Sequence, residues 1–266
     1  MDSLRKFLPA PFLTFAKIAF RYRWVYRIPP QQIDKVLGAC RILVRDYGYL
    51  LSCVEERCSD AEGNSIPWYT YPAIEYLSAL DFSDKDIFEY GSGASSIWWA
   101  SRSRTLKTVD HVPEWYEHVK TILPPNAEIT LLENRADYVR GVLGNCYDVV
   151  IVDGMGANYT RLECCIHSFA SLRPGGIIVL DNSDWLPLSC SYLRKAGMLQ
   201  IDFNGFVPGT DGPQRTSVFF AQPSTIRHIR HLPAVAGVVQ DWEDPSQDPK
   251  MLDLIMRRGA KDESSA

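Results

Sequence analysis

The chain has 266 residues, of which 46% are hydrophobic, 12% aromatic and 23% charged, and its formal net charge is -4. That length and apolar content allow one large domain, or one domain with an appendage, and exclude wholesale disorder. The slightly acidic balance weighs against a dedicated nucleic-acid binder.

The seven cysteines are Cys40, Cys53, Cys58, Cys146, Cys164, Cys165 and Cys190. Their number is odd and no Cys-x-x-Cys pair occurs. Neither a zinc site nor a disulfide framework is indicated, so reduced thiols in a cytoplasmic protein are expected.

Residues 1–27 carry Arg5, Lys6, Lys17, Arg21, Arg23 and Arg27 against Asp2 alone. Leu4, Leu8, Phe12, Phe15, Ile18, Ala19, Tyr22 and Tyr26 recur at roughly helical spacing, and Pro9 and Pro11 confine a regular helix to 11–27. This basic segment reads either as a helix that packs on the domain and caps the substrate site, or as a peripheral contact with an anionic membrane surface. The packing reading is preferred, because packing helices also carry solvated basic faces. Lys17, Arg21 and Arg23 interrupt the segment, which is neither a membrane span nor a signal peptide.

After Pro29-Pro30 the apolar spacing predicts a second helix from Gln31 to Arg57, followed by a polar loop over 58–66. Pro67-Trp68-Tyr69-Thr70-Tyr71-Pro72 reads as pocket lining or as a structural aromatic cluster. A short helix follows, Ala73 to Leu80.

From Asp86 the pattern becomes regular. Strands are expected at 86–90, 106–110, 127–132, 147–152, 176–181, 199–203 and 215–221, with helices at 95–103, 113–123, 135–143, 159–172 and 187–196. Apolar strands alternating with helices imply a mostly parallel, seven-stranded, Rossmann-like α/β sheet flanked by helices. The last two strands lack a crossover helix and must pair antiparallel. The expected organisation is therefore an N-terminal helical extension (1–66), the sheet domain (67–223) and a C-terminal extension and tail (224–266), the latter with weak helices near 224–239 and 251–257.

Ligands of such sheets bind outside the carboxyl ends of the strands, where the strand order reverses. The strand ends here are polar throughout. Glu89, Gly91 and Gly93 follow the first strand, Asp110 and His111 the second, and Asn134 and Arg135 the third. Asp153 and Gly154 follow the fourth, and Asp181, Asn182, Ser183 and Asp184 the fifth. Asp110 is placed to accept both hydroxyls of a ribose, so a nucleoside-type ligand is expected. The turn Gly91-x-Gly93-x-x-Ser96 lacks the third glycine of the dinucleotide fingerprint. Glu89 would repel a pyrophosphate and tolerate a cationic sulfonium.

Residues 67–222 resemble a class I S-adenosylmethionine-dependent methyltransferase. The likeness is carried by Glu89-Tyr-Gly-Ser-Gly93, Thr108-Val-Asp110, Tyr147-Asp-Val-Val-Ile-Val-Asp153-Gly154, Pro174-Gly-Gly176, Asp181-Asn182 and Thr216-Ser-Val-Phe-Phe220. The resemblance implies S-adenosyl-L-methionine as cofactor. Its contacts would come from Tyr69, Thr70, Glu89, Tyr90, Gly91, Ser92, Gly93, Ser96, Asp110, His111, Asn134, Arg135, Asp153 and Gly154.

A narrower similarity links the chain to magnesium-dependent O-methyltransferases of catechol and caffeoyl type. It implies Mg2+ held by Asp153, Asp181 and Asn182, but the lysine of that family's Asp-Ala-Asp-Lys run is missing from Asp153-Gly-Met-Gly156. Candidates for a base are Asp153, Asp184 and His111. The function expected is O-methylation of a small-molecule or saccharide acceptor. The acceptor site would be shaped by the extension 1–66 and by loops 183–189 and 204–214. A non-catalytic binding protein with this fold is the alternative, and an NAD(P)-dependent oxidoreductase comes third.

Overall fold

The computed structural model describes residues 28–156 and 158–221. The expected helix at 11–27 with its membrane contact, and the helices expected beyond 223, lie outside the described residues. Among the described residues no helix is long and apolar enough to cross a membrane. The chain divides between Tyr47 and Gly48 into two compact units.

In the first unit, α1 (Pro30–Arg41) runs into a π-helical turn, Ile42–Asp46. In the second, a new helix α2 covers Tyr49–Glu55. The single helix expected over 31–57 is thus broken, and Gly48 is the reason. It adopts φ +69° in the left-handed region, where a Cβ would overlap the backbone carbonyl of Asp60. Apolar periodicity runs through the break because the residues on either side both follow helical spacing.

The second unit is built on a seven-stranded sheet of order β3-β2-β1-β4-β5-β7-β6. Its strands are β1 (Asp86–Tyr90), β2 (Thr105–Asp110), β3 (Ala127–Leu131), β4 (Tyr147–Val152), β5 (Leu172–Leu180), β6 (Leu199–Phe206) and β7 (Pro213–Phe220). The first five pair in parallel, while β7 lies antiparallel between β5 and β6. The fold class matches expectation. The central strands are β-branched and buried, as in Val149-Val150-Ile151-Val152, whereas edge strand β3 alternates half-buried Ala127, Ile129 and Leu131 with exposed Glu128 and Thr130. β5 starts at Leu172, ahead of the expected 176, because Tyr147 pairs with Leu172 before a register shift restores Val149 to Ile177.

Six helices connect or flank these strands: α3 (Tyr71–Ser78), α4 (Ala94–Ala100), α5 (Pro113–Ile122), α6 (Arg135–Arg140), α7 (Asn158–Ala170) and α8 (Pro187–Lys195). A continuous apolar cluster under α6, α7 and α8 includes Tyr90, Tyr138, Val150, Leu162, Cys165, Leu180, Leu193 and Phe219. The amino-terminal edge of the sheet is tied by ion pairs. Asp86 accepts from Arg104 and Arg173, and Arg173 also reaches Asp148 at 2.6 Å. The arginine hydrogen bonds hold the Asp86 carboxyl well below the usual carboxylate range. That edge is structural, and the carboxyl edge is left for chemistry.

The break at Gly48 has a signed consequence. In a continuous helix Gly48→Ala would stabilise by about 1 kcal/mol. At a left-handed residue facing backbone it should instead destabilise by at least ~1–2 kcal/mol, read from the urea midpoint of unfolding.

Candidate functional site

β1 delivers the chain into Gly91-Ser92-Gly93 and then α4. Gly91 has φ +90°, and a Cβ there would overlap the carbonyl oxygen of Asp153. Across from it, a Cβ on Gly154 would come within 2.7 Å of the Gly91 nitrogen and strike the Tyr138 hydroxyl. The turns after β1 and β4 therefore pack backbone against backbone. Gly91 N–H donates to Val109 O at 2.9 Å and Asp153 N–H to Tyr90 O at 3.0 Å. This brings the ends of β2, β1 and β4 together where the strand order reverses.

Glu89 is completely buried. Its Oε2 accepts from the Ser96 hydroxyl, and Ser96 Oγ in turn accepts from Gly93 N–H at 3.1 Å. Its Oε1 has no hydrogen-bond partner. Burial pushes the Glu89 carboxyl up to about 8, with the charge of Asp153 adding to the rise and the Ser95, Ser96 and Thr108 hydroxyls opposing it. A buried carboxylate with one orphan oxygen is an arrangement that a cation would complete.

Asp110, at the end of β2, is 4% exposed. Its Oδ1 accepts from the backbone of His111 at 2.7 Å and Val112 at 3.1 Å, while Oδ2 accepts from the Ser92 hydroxyl. The Trp115 indole, on α5, donates to Ser92 O at 2.8 Å and lies over Gly93. His111 Nδ1 is buried without a hydrogen-bond partner, 3.7 Å from Asp110 Oδ1.

In front of the glycine turn opens a cleft of about 720 Å³. Its inner wall is Ser92 to Ser95, Trp115 and Asp153; its outer wall is Ser52, Cys53, Glu56, Arg57, Cys58, Trp68, Pro208 and Gly209. Two of the regions expected to shape an acceptor site, 1–66 and 204–214, thus contribute, whereas 183–189 does not. Burial and the charges of Asp153 and Asp181 push the Cys58 thiol up to about 12, so it is no nucleophile.

Asp153 faces this cleft. Burial raises its carboxyl, opposed by the nearby Arg161 guanidinium, whose Nη2 stands 3.4 Å from Oδ1. Asp181 is 2% exposed; its Oδ1 accepts from the Thr216 hydroxyl at 2.6 Å, and burial followed by the charge of Asp153 raises it. Asn182 adopts φ 54° and donates its amide to Gln214 Oε1 at 2.8 Å. This set does not fit a divalent ion. One carboxylate oxygen is taken by a hydroxyl, the Asn182 amide is turned toward β7, and a guanidinium already stands among the oxygens. Among the described residues no three His, Cys, Asp or Glu side chains are grouped to hold a metal. The Mg2+ expectation is corrected accordingly.

Several other expected residues make hydrogen bonds within the protein. Asn134 caps α6, its Oδ1 accepting from Ala136 N–H at 2.8 Å. Arg135 turns to α7, donating to Thr160 Oγ1 at 2.9 Å and pairing with Glu163 at 3.1 Å. Tyr90 donates to Val139 O inside the core. Thr70 is bonded to Thr216 and Phe203 O, and Tyr69 accepts from the Trp99 indole, with burial holding its phenol protonated. Asp184 accepts from Arg215 N–H of β7 at 3.2 Å and, like His111, does not line the cleft. Of the three candidate bases only Asp153 does.

Sequence reasoning missed Trp115 and Arg161. Trp115 sits two residues beyond Pro113, in a helix whose orientation only the β2–α5 turn sets. Arg161 shares a helical stripe with Cys164, Cys165 and Ser168, all buried, and that spacing was the available signal.

No family model matches the chain, and the comparison with curated proteins found no match. Solved structures are similar to it at low identity. The N-methyltransferase NodS from Bradyrhizobium japonicum WM9, in complex with S-adenosyl-L-homocysteine, is 12% identical, with 66% of this chain and 99% of that one covered and a TM-score of 0.43. A methyltransferase from Pyrococcus furiosus is 16% identical, with 69% and 98% covered and a TM-score of 0.44. An O-methyltransferase family protein from Burkholderia thailandensis is 15% identical, with 58% and 56% covered and a TM-score of 0.43.

Glu89 makes a pH prediction. Its folded pKa lies above its ordinary 4.5, so its contribution to stability is complete below pH 4.5 and is lost as the pH rises to about 8. Glu89→Gln should remove this slope. In urea unfolding the variant should match wild type near pH 4 and be the more stable above about pH 8; identical slopes would mean that Glu89 ionises as if exposed.

The fold stands on the strand order itself: five parallel strands with a reversed β7 inserted between β5 and β6 make this a seven-stranded, mostly parallel Rossmann-like sheet.

Proposed function

We propose that the protein is an S-adenosylmethionine-dependent methyltransferase acting on an oxygen of a small-molecule or saccharide acceptor. The observation that carries the reading is the row of carboxylates Glu89, Asp110 and Asp153 on the ends of the adjacent strands β1, β2 and β4, with Glu89 buried and one of its oxygens unpartnered. A cofactor bearing both a ribose and positive charge suits that row. A pyrophosphate does not, since its charge would meet Glu89 and Asp153.

In this reading Asp110 holds the ribose hydroxyls, with the Ser92 hydroxyl yielding its place at Oδ2. Glu89, protonated near neutral pH while the site is empty, would ionise beside the bound cation and supply a negative charge under the glycine turn. Trp115 shields the turn from water on the α5 side. The bound cofactor supplies a methyl group activated by its sulfonium charge. The chain's contribution to the rate is chiefly alignment of the acceptor in the cleft, since an in-line displacement needs little covalent help. Asp153, whose carboxyl is raised by burial, is the group placed to take the acceptor's proton.

The acceptor class rests on the rings at the cleft. Trp68 is 55% exposed and Trp115 44%, while Trp98 and Trp99 are buried. Half-exposed indole faces beside a carboxylate suit a sugar or a small ring bearing a hydroxyl.

Isothermal titration with S-adenosylhomocysteine tests the reading. Wild-type protein should bind, and Asp110→Ala should weaken binding ~100-fold or more while leaving the circular dichroism spectrum unchanged, because charge-assisted hydrogen bonds contribute about 1.5–3 kcal/mol each. Binding of NADH without binding of the thioether would sink the assignment. Cofactor binding without methyl transfer to any of a panel of hydroxylated acceptors would favour a non-catalytic binding protein. Where an acceptor is found, Asp153→Asn should lower kcat by about 10²–10⁴-fold and remove the acidic limb of the pH–rate profile.

A further inference from the structure

Arg161 projects from α7 into the interior, 8% exposed. Its guanidinium reaches oxygens from two neighbouring strand ends. Nε donates to Gly154 O at 2.9 Å, Nη1 to Val152 O at 3.1 Å and Asp181 O at 3.3 Å, and Nη2 to Asp153 Oδ1 at 3.4 Å. A guanidinium is costly to bury unless its donors are met, and its fixed fork makes it selective for such an array of acceptors. Arg135, which also reaches α7, is engaged by Thr160 and Glu163. The oxygens that converge after β4 and β5 therefore already have their cation.

We propose that Arg161 is a built-in cation that replaces a divalent metal in this site. It is a positioning residue: it holds the Asp153 carboxylate at the cleft and clamps the ends of β4 and β5 together. The arrangement makes the site metal-independent, and removal of the guanidinium exposes oxygens that a hard cation can bind.

The test uses the full chain without cofactor, so its outcome is separate from the methyltransferase reading. Mn2+ is titrated calorimetrically, and melting is followed with and without Mn2+. Wild type should show no binding heat and an unchanged melting temperature. Arg161→Ala should melt lower than wild type, bind Mn2+, and recover roughly 5–10 °C at saturating metal. Adding Asp153→Asn to that variant should abolish the gain. Arg161→Lys, which keeps a cation in place, should remain blind to metal. A merely structural arginine would lower stability on removal without creating a metal site.

Mn2+ binding by wild type that Asp181→Asn abolishes would overturn the proposal, as would a folded Arg161→Ala protein that binds no metal. If Arg161→Ala does not fold, Arg161→Met, which keeps most of the side-chain volume without the charge, takes its place: Mn2+ binding by it that Asp153→Asn removes sustains the proposal, and a folded variant that binds no metal overturns it.

Discussion

Two turns packed backbone against backbone set the terms for everything at the carboxyl edge of this sheet. The Gly91 turn and the Asp153–Gly154 turn approach so closely that neither glycine position has room for a Cβ. Close approach fixes the distance between β1 and β4 beyond their last paired residues, and the Tyr138 hydroxyl fills the remaining gap by accepting from Met155 N–H at 3.1 Å. Glycine is therefore required here by protein–protein packing, before any ligand is considered. The cleft is shaped by the same constraint, because Ser92 and Asp153 reach it from opposite sides of the contact.

Charge is concentrated around that contact. Glu89, Asp153 and Asp181 are carboxyl groups withdrawn from water whose pKa values all rise, and Arg161 is the guanidinium bonded among them. Desolvation raises each carboxyl, and the charge of Asp153 raises Asp181 and Glu89 further. Arg161 relieves the pair on β4 and β5 but does not bond Glu89. Two environments thus stand side by side: a carboxyl pair with a guanidinium bonded to Asp153, and a buried Glu89 without a basic partner.

The contrast between the two sheet edges follows the same logic. At the amino-terminal edge Asp86, Asp148, Arg104 and Arg173 satisfy one another in a partly exposed network. Such pairs hold strands in register and leave little over for a ligand. At the carboxyl edge carboxylates outnumber the cations bonded to them. Protonation of the buried carboxyls relieves such an imbalance when the cleft is empty, and a positively charged ligand, as proposed above, would relieve it when the cleft is filled.

The sequence by itself determined the sheet, because β-branched runs such as Val149 to Val152 and the alternation in β3 express local burial and need no distant partner to be read. It also determined that Glu89, Asp110 and Asp153 stand at strand ends, since strand direction follows from chain order. Helical spacing hid the break at Gly48, because periodicity records which face is apolar and not the sign of φ. Tertiary structure alone decided which strand-end residues face the cleft. Asn134 and Arg135 share the strand-end position of Asp153, yet a helix cap and a neighbouring helix claim them. Asp184 follows β5 but turns to β7, whose place between β5 and β6 chain order does not state. The guanidinium of Arg161 enters from the helix that follows the β4 turn, at a position no motif marks, so the fate of the metal expectation rested on a contact made only when α7 packs on the sheet.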